Sequence, residues 1–181
     1  MNKSPTTVSI IAVLIFAISI LAPVAEASDS ASHKIVVEVP VILVMSITSN
    51  GRTSSGETVV TRYEVLEPTD RELNQGYVEQ EDAANLAITA NVDWKVTLRS
   101  EKSTLGRSAD GEYEKPASDL MVRCSGSSFG YQSVSTSPST IFEGGSGIFN
   151  HGLDYKTIFD KDQYKSGSYE ATLIYTISSR A

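Results

Sequence analysis

The stretch Leu86-Ala87-Ile88-Thr89-Ala90-Asn91-Val92-Asp93-Trp94-Lys95-Val96-Thr97-Leu98 decides the fold class. Its even positions are all apolar: Leu86, Ile88, Ala90, Val92, Trp94, Val96 and Leu98. Apart from Ala87, its odd positions are polar, and the phase never slips. Side chains alternate across a β-strand with period two, so this is extended chain with one dry face and one wet face. Two strands broken near Asn91 would satisfy the pattern. The unbroken phase favours one long strand with a kink, because a two-residue hairpin needs turn residues at its tip.

The same period runs outward in both directions. Towards the C-terminus, Leu120, Val122 and Cys124 share a face, as do Leu153, Tyr155, Thr157 and Phe159. The last strand sets Tyr169, Ala171, Leu173, Tyr175 and Ile177 against Glu170, Thr172, Thr176 and Ser178. A turn at Lys165-Ser166-Gly167 separates that C-terminal pair. Shorter strands are expected at Phe129–Ser133 and Thr140–Phe142, with a turn at Gly144-Gly145-Ser146-Gly147. Ser100–Ser118 reads as a long polar loop with room for a small hairpin, a length that is usually functional. Towards the N-terminus, Tyr77 opens a short strand, and Pro68–Gly76 is a connection with room for one helical turn. Glu57–Glu67 is a strand with Val59, Thr61, Tyr63 and Val65 on one face, and Ser49–Gly56 is a polar loop. About eight or nine short strands without a sustained helical period predict an all-β, two-sheet β-sandwich, Ig-like or jelly-roll-like.

One segment departs from the alternation. Lys34–Thr48 reads as the first strand, and Ile35, Val37, Val39, Val41, Leu43, Met45 and Ile47 fill one face. The other face still carries Val36, Ile42 and Val44, so the segment wants cover on both sides. Pro40 has no N–H to give a ladder and belongs at an edge, a bulge or a crossover.

The chain opens with a short positive region at Lys3, an apolar run from Val8 to Ala22 and an Ala25-Glu26-Ala27 cleavage pattern. This is the layout of a secretory signal peptide, residues 1–27. Its run of about 15 residues is short of the ~20 that a membrane-spanning helix needs. The expected mature chain, 28–181, is one domain by size, secreted or held at the cell surface, with no membrane span. The net charge of −7 makes it a poor polyanion binder, so nucleic acid is excluded as a partner. Cys124 is the only cysteine, so it is either buried or joined to another chain.

Nothing in the chain marks an enzyme, a metal site or a cofactor site. His33 and His151, the only histidines, stand in no ligand spacing, and His151 reads as a loop residue. Asp110-Gly111-Glu112 and Asp160-Lys161-Asp162 match no calcium loop and read as solvated turn acids. Gly144–Gly147 lacks the Lys-Ser/Thr of a phosphate loop. Trp94 shares parity with core positions and is expected between the sheets, not on a sugar-stacking surface. Tyr155, Tyr169 and Tyr175 fit core faces with hydroxyls at the rim, while Tyr113, Tyr131 and Tyr164 are expected at the surface.

Two resemblances follow from these residues. Ile88–Val96 resembles the Asn-x-Asp-Trp-x-Val strand of small Ig-like modules in secreted bacterial proteins, including the BACON group, which implies carbohydrate or mucin as a partner. The whole layout resembles secreted pilin-like subunits: a signal peptide, a doubly apolar first strand, a single all-β domain and an end directly after the last strand. That resemblance implies donor-strand assembly, in which the N-terminal strand of one subunit completes the sandwich of the next. Residues 34–40 would then be the exchanged strand, with Ile35, Val36, Val37, Val39 and Pro40 at the subunit interface and a homo-oligomer or filament as the product. The alternative is a monomeric binding module for surface glycan, contacting it through Ser100–Ser118 and keeping its first strand within its own fold.

Overall fold

The computed structural model describes residue 34 and residues 36–49, 51–160 and 165–180. The expected signal peptide, His33, Ile35 and Tyr164 lie outside the described residues. Val39–Ala181 forms a compact unit of its own.

Among the described residues, twelve strands replace the eight or nine expected: β1 (Leu43–Ser49), β2 (Arg52–Gly56), β3 (Thr58–Glu64), β4 (Tyr77–Ala90), β5 (Trp94–Ser100), β6 (Thr104–Arg107), β7 (Glu114–Pro116), β8 (Leu120–Cys124), β9 (Gln132–Ser133), β10 (Ser139–Gly144), β11 (Gly147–Ile158) and β12 (Glu170–Ser179). They form a six-stranded sheet in the order β2-β1-β4-β11-β8-β9 and a four-stranded sheet in the order β10-β5-β12-β3. Every strand pair is antiparallel. The two sheets enclose one core, so the protein is an all-β sandwich. The small hairpin β6–β7 sits in the long polar stretch after Ser100.

Four expectations need correction. The kinked strand over Leu86–Leu98 is two strands, β4 and β5, in different sheets. The phase survives because both sheets face the same core: Leu86, Ile88, Ala90, Trp94, Val96 and Leu98 are all buried. No hairpin tip is required, since the chain turns a corner at Asn91–Asp93 instead of doubling back. The C-terminal pair also divides between sheets, β11 between β4 and β8, β12 between β5 and β3. Arg52–Gly56 is a strand where a loop was expected. Its pairing brings Ser49 opposite Arg52 across a tight connection, with Gly51 at φ +72°. Finally, the first strand begins at Leu43 and not at Lys34.

The connection after β3 holds a short helix, α1 (Asp70–Gln75). Thr69 and Glu72 form a reciprocal capping box, and Gly76 ends the helix at φ +84°. Within the core, the Tyr63 and Tyr155 rings meet edge to face at 4.7 Å. The Tyr155 and Tyr175 hydroxyls, expected at the rim, are buried and share a hydrogen bond of 3.0 Å. Burial pushes the Tyr155 hydroxyl up to about 12, against the lowering effect of its bond to Tyr175. Lys115 is buried too, its ammonium donating to Asp119 at 2.8 Å and to the Ile158 carbonyl at 2.7 Å.

Trp94 anchors one end of the sandwich. It is fully buried against Phe142 and Phe149, and its indole N–H donates to the Gly145 carbonyl at 2.7 Å. Gly144 lets the backbone approach this ring, because a Cβ there would stand 2.7 Å from Trp94 Cζ2. Gly144→Ala should therefore destabilise the fold by about 1–3 kcal/mol through overpacking, read as a lower urea midpoint with an unchanged m-value.

Candidate assembly segment and its anchor

Residues 36–42 join no ladder. They precede β1, and their apolar side chains lie in solvent: Val36 is 67% exposed, Val37 76%, Val39 72% and Val41 68%. β1 takes up the alternation where this segment ends, with Met45 and Ile47 buried. A run of branched apolar side chains held out of the core is a patch of the kind that marks an interaction site. Of the five residues singled out from the sequence, Val36, Val37, Val39 and Pro40 lie in this exposed segment, and Ile35 lies outside the described residues.

The segment is fastened at one point. The Asn91 side-chain amide donates to the Pro40 carbonyl at 2.8 Å, and its side-chain oxygen accepts the Ile42 N–H at 2.7 Å. The Asn91 N–H in turn donates to the Ile42 carbonyl at 3.1 Å. Asn91 sits at the corner between β4 and β5, directly beyond the Leu43–Ala90 pair where the β1–β4 ladder starts. The chain is thus held at residues 40–42, and the ladder begins at once behind that hold. Sequence reasoning missed the role of Asn91. The signal was its place in the Asn-x-Asp-Trp motif, which the structure turns into a corner: Asn91 holds Pro40 and Ile42, the Asp93 carbonyl accepts the Arg180 N–H at 2.8 Å, and Trp94 plugs the core.

The other candidate groups are occupied within the fold. His151 is in β11, not a loop, and its ring lies edge-on to Phe142 at 4.7 Å. Asp110 and Glu112 both accept from the Lys165 ammonium. The Ser108 hydroxyl, then Lys165 and the Glu112 N–H, hold the Asp110 carboxyl down at about 2. Among the described residues, no cluster of three or more His, Cys, Asp or Glu side chains could hold a metal ion. Tyr113 and Tyr131, expected at the surface, are half-buried. Tyr113 meets Tyr169 edge-on, and Tyr131 is flanked by Arg123 and Lys156. Among the described residues, no helix is long and apolar enough to cross a membrane.

Cys124 is a free, buried thiol. Burial, with the negative charge of Asp154, pushes it up to about 12.

No protein-family model matches the chain, and no curated protein matches it.

Two outcomes are expected. Asn91→Ala should cost about 1–2 kcal/mol in chemical denaturation, since it removes two side-chain bonds to the main chain at Pro40 and Ile42, and should speed proteolysis near Val41. Cys124 should resist iodoacetamide at pH 8.5 in the folded protein and react promptly in denaturant, because the thiolate is the nucleophile; mass spectrometry of the labelled chain distinguishes the two.

Proposed function

We propose that this protein is a secreted structural subunit of a cell-surface or extracellular filament, and that it self-associates by β-strand addition. The observation that carries the reading is the state of residues 36–42, which join no strand ladder, are largely apolar, and are exposed at Val36, Val37, Val39 and Val41. Such a segment gains on two counts by joining a sheet in a second copy. Its main-chain groups exchange water for ladder partners, and its valines leave water. Burying each valine side chain contributes about 1.5–3 kcal/mol. Pro40 suits the boundary of the exchanged strand, because it has no N–H and its carbonyl is already taken by Asn91. The alternative, a monomeric binding module for surface glycan, would instead have the residues before Pro40 paired inside their own domain.

Donor and acceptor on one chain form a heterologous contact, which propagates as an open filament unless it closes into a ring. Size-exclusion chromatography and negative-stain microscopy test this on the chain beginning at Ser28. Large oligomers or filaments are expected, and the double variant Val37→Asp, Val39→Asp should shift the population to monomer with affinity reduced more than ~100-fold. A stable monomer from both chains at high concentration would overturn the reading.

A further inference from the structure

We infer that the outer edge of β3 is the acceptor for residues 34–39 of a second copy, an inference that rests on the strand-addition reading above. The larger sheet has β2 and β9 as its edges, the smaller has β10 and β3. These four edges are not equivalent. β9 has two residues. β2 has five, and because Ser49 pairs with Arg52 across a tight turn, only Thr53 and Ser55 turn their main-chain groups outward. β10 is interrupted by a register shift between Thr140 and Phe142, and its Ile141 carbonyl accepts the Ser127 hydroxyl at 2.9 Å.

β3 is seven residues long with an unbroken register against β12. The Val65 N–H donates to the Tyr169 carbonyl at 3.1 Å, and the Ile177 N–H donates to the Glu57 carbonyl at 2.9 Å. These two bonds fix the parity: odd residues of the strand face β12, and even residues turn their N–H and C=O to the other side. Among the described residues, no strand but β12 pairs with β3. Thr58, Val60, Arg62 and Glu64 therefore present a row of four open main-chain positions, the unprotected edge that folded proteins otherwise cover.

A cleft of about 620 Å³ runs beside this edge, bounded by Val60, Thr61 and Arg62 on one side and by Ile47, Ser49 and Ser54 on the other. A second cleft, of about 270 Å³, continues it past Tyr63, Val65, Leu66 and Ala83, sharing Ser49, Arg62 and Glu64. Ser54 and Gly56 pair with Ile47 and Met45, so the facing strand offers small residues on that side and leaves room. The smaller sheet is two strands short of the larger one. A fifth strand beside β3 would reduce that deficit.

The donor matches this edge in length, polarity and charge. Residues 34–39 supply Ile35, Val37 and Val39 on the parity that would face the cleft, and Lys34, Val36 and Glu38 on the outer parity. β3 carries Val60, Arg62 and Glu64 on its outer face. In a parallel register that sets Val36 beside Val60, Glu38 falls beside Arg62 and Lys34 beside Thr58, so cross-strand neighbours on that face would be apolar, neutral or opposite in charge. In that register the odd residues of the donor turn their main-chain groups to β3, so the missing N–H of Pro40 would point away from the new ladder and cost nothing.

The decisive variant is Val60→Pro in the chain beginning at Ser28. It removes an N–H that points away from β12, so the monomer should keep its melting temperature within a few degrees while assembly is lost. Val60→Lys, which needs no special backbone angle, serves if the proline variant fails to fold. A cysteine at Val36 in one chain, mixed with chains carrying cysteine at Val60, Arg62 or Glu64, should give disulfide-linked dimers on oxidation. Cysteine at Ser139 or Ile148 should not, and the buried Cys124 stays silent. If folded Val60→Pro or Val60→Lys assembles as the parent does, while Val37→Asp, Val39→Asp does not, the acceptor lies elsewhere and strand addition stands. Cross-links from Val36 to Ser139 would likewise overturn β3 in favour of β10. If the aspartate variant also assembles, strand addition itself falls and takes this inference with it.

Discussion

The structure depends on the corner at Asn91–Trp94, where the chain leaves one sheet and enters the other without changing phase. A strand that crosses between sheets must still aim its apolar face at the shared core. Three residues between Ala90 and Trp94 accomplish this, and the buried even-numbered side chains continue on the far side. The same corner gathers distant parts of the chain. Trp94 takes the β10–β11 turn through Gly145, Asp93 takes the last residues through Arg180, and Asn91 takes the start of the domain through Pro40 and Ile42. A polar corner able to satisfy main-chain groups from three other segments is what allows a tight crossover, since buried amides left without partners are costly.

Much of this was legible in the sequence, and the failures have physical causes. The parity of the strands named every major core face correctly, because burial follows alternation whichever sheet a strand joins: Tyr169, Ala171, Leu173, Tyr175 and Ile177 are all buried. Parity says nothing about which sheet that is, so β4 and β5 read as one strand and β11 and β12 as a pair. Arg52–Gly56 was missed because its side chains are polar on both faces and only its main chain pairs; Asn50-Gly51 was the available sign. The Tyr155–Tyr175 bond could not be foreseen, since it joins strands in opposite sheets.

The candidate site was half legible. Apolar residues on both faces of Ile35–Ile47 gave the need for extra cover, and Pro40 gave a boundary. The pattern did not reveal that the segment divides at Leu43, with one part buried in its own sheet and the other part exposed. That division is a three-dimensional matter. β1 has β4 on one side and β2 on the other, so its ladder is full, whereas residues 39–42 lie past the end of β4 at Ala90, where only Asn91 holds them and no ladder continues among the described residues.

This ending explains how one sequence can hold an apolar strand in solvent without losing its fold. Residues 39–181 make a compact unit whose core contains none of the exposed valines, so the stability of the domain does not rest on them. Asn91 fixes the point at which the chain leaves the ladder. On the strand-addition reading proposed above, the segment would then emerge from a defined place, which would lower the conformational entropy to be lost on pairing. Selection acting on such a segment faces opposed demands. It must be apolar enough to bind a sheet edge, yet short enough that the free subunit stays soluble. Glu38 interrupts the valines, Pro40 offers no N–H to a ladder, and the net charge of −7 would make copies of the chain repel one another. These are the devices proteins use to guard an exposed strand against indiscriminate pairing. Their presence on a segment that could simply have been made polar is itself an argument that its apolar character is used.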